Sequence, residues 1–122
     1  MEQKAPSETV THAGQLRVGV MFNGVRHVEF EVRAPVIEDQ LQALVAVGQG
    51  EGEGGSPLIR NARMELAMLA QQLVRLGDIP TEEVTLDFLL GSLPPEDFDA
   101  LFEASEKAKK KRLETPKHSA AS

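Results

Sequence analysis

Three histidines, three pairs of adjacent carboxylates, a glycine-rich loop and a lysine run are the residues of this 122-residue chain whose types could do chemistry. His12, His27 and His118 share no metal-ligand spacing, and no cysteine is present to complete a site. Disulfides, thiolate centres and thiol nucleophiles are thereby excluded. Serines and threonines fall mainly in expected tails and helix caps, with no GxSxG turn and no histidine placed to act as their base. Glu82-Glu83 and Glu96-Asp97 sit at expected helix starts, where the helix dipole favours carboxylates without any catalytic reason. The stretch "VGQGEGEGGSP" has no GxxxxGK[ST], and Glu51 and Glu53 would repel a phosphate, so it reads as a solvated acidic linker. The run Lys107 to Arg112, "KAKKKR", is short, lacks interleaved aromatics and closes an acidic helix, so it reads as a solvated helix end. No catalytic, cofactor-binding or metal-binding residue is expected, and the chain reads as a non-enzyme.

The totals bear on partners. With 19 acidic and 13 basic residues the formal charge is −6, which disfavours nucleic acid because phosphate contacts need a basic surface. "MEQKAPSETVTHAG" has no apolar run of the kind a signal peptide requires, and no window holds the roughly 20 apolar residues needed to span a bilayer. A soluble, unexported protein without membrane contact is expected.

The elements that would position any binding residue follow from the pattern. Residues 1–14 carry no periodicity and are expected to be a disordered tail. From Gln15 the residues alternate: Leu16, Val18, Val20 and Phe22, then Val28, Phe30 and Val32 after Asn23-Gly24, predict a hairpin over 15–33. A two-residue Asn-Gly turn would set Val20 against His27 and Val18 against Glu29, so a three-residue loop with a bulge at Gly24, pairing Val18 with Val28 and Leu16 with Phe30, is expected. His27 then lies on the polar side. Pro35 starts a helix over about 35–47 with Ile37, Leu41, Leu44 and Val45 as its buried stripe. A flexible Gly-rich loop, 48–56, follows. Ser56-Pro57 opens a helix over 57–76 whose Ile59, Ala62, Leu66, Leu69, Leu73 and Leu76 step like a heptad seam, with Gly77 as the stop. Met64, Met68 and Val74 widen its apolar surface, so neighbours enclose it or a partner shares it. Short helical turns over 81–90, capped by Thr81 or Thr85, precede a last helix over 95–112 and a disordered tail, 113–122. The class expected is α+β, mostly α: an N-terminal β-hairpin packed on a small bundle of three to four helices.

Phe88, Leu89, Leu90, Phe98 and Phe102 are many large side chains for short helices to hide, which points to a patch or groove for another protein's helix. The order of parts also resembles a known family. The hairpin ending "VEFEVRAP", the helix stop "LVRLGDIP", the final helix "LPPEDFDALFEA" and the lysine-rich close are similar to the tail assembly proteins of phage Mu and Mu-like prophages, over Gln15 to Arg112. The resemblance implies a late, non-catalytic tail assembly chaperone of contractile-tailed phages. It would act in the host cytoplasm, keep the helical tape measure protein soluble while tail tube subunits polymerise around it, and be absent from the finished virion. Further implied partners are the tail tube protein and a longer, frameshifted form of the chain itself. On this reading Leu86, Phe88, Leu89, Phe98 and Phe102 form the contact surface, with Leu66, Leu69 and Leu73 in the core or in self-association. The competing class is a small structural tail or baseplate component joined to its neighbour by strand addition. A nucleic-acid-binding regulator acting through Lys107 to Arg112 is a third.

Overall fold

Asn23 and Gly24 both take positive φ, 52° and 77°, as a two-residue type I′ turn requires. They join strand β1, Thr11–Phe22, to β2, Val25–Arg33, and pair Phe22 with Val25, Met21 with Arg26 and Val20 with His27. The expected three-residue loop is therefore replaced by the register it was meant to avoid. His27 is buried rather than on a polar face, and its Nδ1 accepts the Asp78 amide at 3.1 Å, so the polar group is satisfied on the core side. The mismatch farther along the strand is absorbed by a bulge. Leu16 to Gly19 of β1 stand opposite Val28 alone before pairing resumes at Gln15 and Glu29. Leu16 and Val20 thereby reach the core while Val18 turns outward.

This computed structural model describes residues 10–50 and 56–115, with Gln49 and Gly50 as backbone only. Among the described residues the architecture is α+β and mostly helical: a three-stranded antiparallel sheet in the order β1-β2-β3, the third strand being Leu73–Leu76, with four helices. β1 begins at Thr11, so Thr11 to Gly14 belong to the sheet and not to a tail. Gly14 is needed there because a Cβ would press on the Phe30 ring at 3.0 Å. The remaining expected tail residues, 1–9 and 116–122, and the loop residues 51–55 lie outside the described segments.

The bulge in β1 is held open by one carboxylate. Gly19 takes φ of 109°, and the consecutive amides of Arg17, Val18 and Gly19 all point at Asp97, donating at 2.7, 2.9 and 2.7 Å. Asp97 is fully buried, in the first turn of α4, Pro95–Glu114. Three successive N–H groups make an anion-binding concavity, and here the anion is the protein's own. α4 consequently lies along β1. Ala104 and Ala108 bury against the body, Lys111 donates to the Thr11 carbonyl at 2.9 Å, and Arg112 donates to that of Pro35. The basic run is thus partly a set of ties to the hairpin base. α4 also extends through Glu114, past the expected stop at 112.

Helix α1, Ile37–Gly50, starts two residues after Pro35 and runs through Gly48 and Gly50. Helix α2, Pro57–Gln72, opens as expected, with Ser56 Oγ accepting the Ile59 amide at 3.1 Å. It does not continue to Leu76. Leu73–Leu76 is instead strand β3 on the free edge of β2, with Phe30 opposite Leu76 and Val32 opposite Leu73. A register shift between Glu31 and Val32 turns both leucines inward although they are three residues apart. Gly77, at φ of 56°, makes the following turn where a Cβ would collide with the His27 ring. A 3₁₀ turn at Thr81–Glu83 and helix α3, Leu86–Ser92, follow, with Thr85 Oγ1 accepting the Phe88 amide at 3.1 Å. Gly91 lies inside α3 and does not end it. The core is one cluster in which Val20, Phe30 and Val32 of the sheet meet Leu69, Leu89 and Leu101 of the helices.

Removing the anion should cost more than any single core methyl. Asp97→Ala leaves three amides without an acceptor, and hydrogen bonds to a charged group contribute about 1.5–3 kcal/mol each, so a loss of roughly 4 kcal/mol is expected. Asp97→Asn keeps one oxygen and should lose about half of that. Urea unfolding followed by circular dichroism measures both; equal midpoints for wild type and Asp97→Ala would refute the role given to this carboxylate.

Candidate functional site

The five residues expected to form a contact surface are not brought together. Leu86 and Leu89 lie in the core and reach the surface only at the bottom of two concavities. Phe88 is half-buried against the hairpin end, its ring edge-on to Phe22 with centroids 5.9 Å apart. Phe98 and Phe102 stack on each other along α4 at 6.5 Å, with Phe102 44% exposed. Leu66, Leu69 and Leu73 are all buried in the monomer.

What the fold builds instead is an open groove of about 470 Å³ between α2 and the α3–α4 junction. Ile59, Ala62 and Leu66, at helical spacing, form the α2 wall. Leu90, Leu93 and Phe98 form the other. Leu89 closes the floor, and Arg63, Glu65 and Asp99 stand on the lip. Of the expected surface only Leu89 and Phe98 take part. Leu90 belongs to the apolar surplus visible in the sequence but not to the expected contact set. Ile59 and Ala62 were hidden as the first steps of a seam that looks uniformly buried.

A second apolar surface is the outward side of α1. Ile37, Leu41, Leu44 and Val45 are between 51% and 68% exposed, which reverses the expected stripe; Asp39, Ala43 and Val47 face inward. The reason is a clamp. Arg33 grips Asp39 with both guanidinium nitrogens, at 2.8 and 2.6 Å, and donates at 2.9 Å to the Gln71 carbonyl of α2. Asp39 also accepts the Val36 amide at 2.8 Å, completing the first turn of α1. Fixing Asp39 inward fixes the rotation of the helix. Burial pushes the Asp39 carboxyl up, but the hydrogen bonds from Arg33 and Val36 and the Arg33 charge outweigh it and leave the pKa below the ordinary 3.8. The same hydrogen bond to Asp39 is the main reason Arg33 is raised, against the opposing effect of burial.

Two further concavities among the described residues hold no reactive pair. A cleft of about 630 Å³ beside the 3₁₀ turn is lined by Ala46, Ala67, Gln71, Thr81, Glu82 and Asp87 among others. A small one of about 190 Å³ holds His12, Arg17, Glu103 and Lys107. His12 therefore lies on β1 and not in a tail. Burial, then the charges of Lys111 and Lys107, lower its pKa, and its Nδ1 has no hydrogen-bond partner. Among the described residues no three His, Cys, Asp or Glu converge as metal ligands, and no helix is long and apolar enough to cross a membrane. Neither family models, curated proteins nor solved structures give a match to the chain.

The clamp gives a pH signature whose sign follows from the depressed pKa. Asp39 contributes fully above 3.8, its ordinary value, and its contribution is lost as pH falls through its own lower value. Near neutrality Asp39→Asn should be about 3 kcal/mol less stable than wild type, since it leaves a partly buried guanidinium without its counter-charge. Urea titrations at a series of pH values should show the two proteins converging as the pH drops below 3.8; a gap independent of pH would contradict the assignment.

Proposed function

We propose that this chain is a non-catalytic tail assembly chaperone of the Mu-like type, which binds the helical tape measure protein and keeps it soluble while the tail tube polymerises around it. The observation that carries the reading is the α2/α3–α4 groove. Its walls are apolar, its lip is polar, and Ile59, Ala62 and Leu66 repeat at the spacing with which an amphipathic helix presents its own apolar face. Apolar contact of this kind is not selective for sequence, which suits a partner that is helix over great length. The net charge of −6 keeps the carrier soluble while greasy segments are covered. Such a carrier works in the host cytoplasm and leaves before the virion is finished.

A structural tail or baseplate component that adds a strand to a neighbour has less support from this fold. The middle of the β1 edge is occupied by Asp97 and its Thr11 end by Lys111, and the other edge, β3, is four residues long. A nucleic-acid regulator is disfavoured by the same ties, because Lys111 and Arg112 already bind backbone carbonyls.

Co-expression with the tape measure protein tests the proposal. Leu90→Asp and Ile59→Asp alter exposed groove walls, so they should fold normally while the recovered complex falls about tenfold, equivalent to about 1.4 kcal/mol of binding. Val25→Asp, exposed at the hairpin end, is the control and should capture as wild type does. If the folded groove variants hold the tape measure protein as well as wild type, or if purified particles contain the chain in stoichiometric amounts, the reading is wrong.

A further inference from the structure

We infer that the outward face of α1 is the docking surface for a second copy of this chain, giving a twofold homodimer through an antiparallel α1–α1 pair. Ile37, Leu41, Leu44 and Gly48 follow one another at intervals of four, three and four residues, the spacing of the seam between two paired helices. The three large side chains are more than half exposed, and Val36 and Val45 widen the strip on either side. A Cβ at Gly48 would meet nothing within 4 Å, so another backbone can approach that end closely. The face is convex, and none of its residues lines the groove assigned to the helical partner. What a convex seam accepts is another seam.

Charge and area select the occupant. Glu38 and Asp39 are the only ionisable residues of α1; Asp39 is turned inward and held by Arg33, while Gln40 and Gln42 flank the strip. A strip this neutral is matched by its own copy, which brings no unpaired charge into the contact. Antiparallel pairing also sets the two Glu38 carboxylates at opposite ends, whereas parallel pairing would oppose them. The five exposed aliphatic side chains present roughly 500 Å² on one copy, so a twofold contact that covers the whole strip buries about 1,000 Å², the size at which a specific interface begins. A twofold contact uses the same patch twice and closes on itself, so it stops at two copies. Residues 1–9, 51–55 and 116–122 contain Met1 as their only large apolar side chain, so none of these segments brings an apolar cover for the strip.

The test is the solution mass and the register of contact, neither of which depends on the groove. Light scattering on the full chain at about 100 µM should give twice the 13.3 kDa of one copy. Leu41→Glu combined with Leu44→Glu, both at exposed positions, should give the single-copy mass with unchanged circular dichroism. The chain has no cysteine, so single introduced thiols report neighbours directly. With the axis midway between positions 41 and 44, a Leu41→Cys copy mixed with a Leu44→Cys copy should form the mixed disulfide in preference to either like pair, and Ile37→Cys should not link to itself. A single-copy wild type, a dimer that survives the double glutamate variant, or dominant like-with-like linkage at position 41 would each overturn the inference.

Discussion

The fold depends on the Asp97 carboxylate sitting against three consecutive amides of β1. A β-bulge that sets four residues against one leaves amides pointing away from the ladder, and buried amides without acceptors are costly. Asp97 satisfies three of them at once with two oxygens. Because the acceptor is carried on α4, the same contact that permits the bulge also fixes where α4 begins, and it covers the strand edge that the bulge exposes. Register, helix placement and edge protection are thus one constraint. The type I′ turn at Asn23-Gly24 is compatible with a core-facing Leu16 only because the bulge shifts the register between them.

From that anchor the helices are set by two further polar contacts. Gln72, buried at the end of α2, donates to the Arg33 carbonyl of β2 at 3.0 Å and to Ser105 Oγ of α4 at 2.8 Å, tying sheet, α2 and α4 at one point. Arg33 reaches from β2 to Asp39 and the Gln71 carbonyl, tying the sheet to α1 and α2. The groove is a consequence. With α4 anchored on β1 and α2 anchored on β2, the short α3 fills the gap only at Leu86 and Leu89, and the space above it remains open between Ile59 and Phe98.

Sequence patterns disclosed what local chemistry decides. The α+β class, the position of the hairpin turn, the Ser56-Pro57 start of α2, Thr85 as one of two candidate caps and the start of α4 after Pro94 all depend on neighbouring residues. What they did not disclose depends on distant ones. Asp97 has a sufficient local explanation as a first-turn carboxylate, which conceals its partners some 80 residues away. Leu66, Leu69, Leu73 and Leu76 continue one helical seam without a break, yet the free edge of β2 captures the last part as a strand, and a register shift makes the three-residue step fit. Ile37, Leu41, Leu44 and Val45 show that a helix forms but not which way it turns; Arg33, outside the helix, settles that. Hence the groove was only half legible: Leu89, Leu90 and Phe98 from the apolar surplus, and not Ile59 or Ala62.

The reversed stripe of α1 bears on why two apolar surfaces coexist in one small domain. Leaving a large aliphatic side chain half exposed forgoes on the order of 1 kcal/mol, so Ile37, Leu41, Leu44 and Val45 together represent a few kcal/mol against a net stability of about 5–15 kcal/mol. The core does not need them. The inner face of α1 uses Ala43, Val47 and the clamped Asp39, small enough for α1 to lie close on α2, where the larger residues would hold the helices apart. The larger residues are therefore unsuited to the interior and retained outside, on a ridge. The groove has the opposite shape, a trough rimmed by charge. A trough holds a single helix laid along it, whereas a ridge is covered by a matching ridge. If two copies pair through the ridges as inferred above, each groove stays open, and two troughs on one particle would engage successive segments of the long helical partner proposed for it, with the second binding made intramolecular. The division of apolar residues between groove and ridge means that the proposed self-association and the proposed partner binding draw on different side chains.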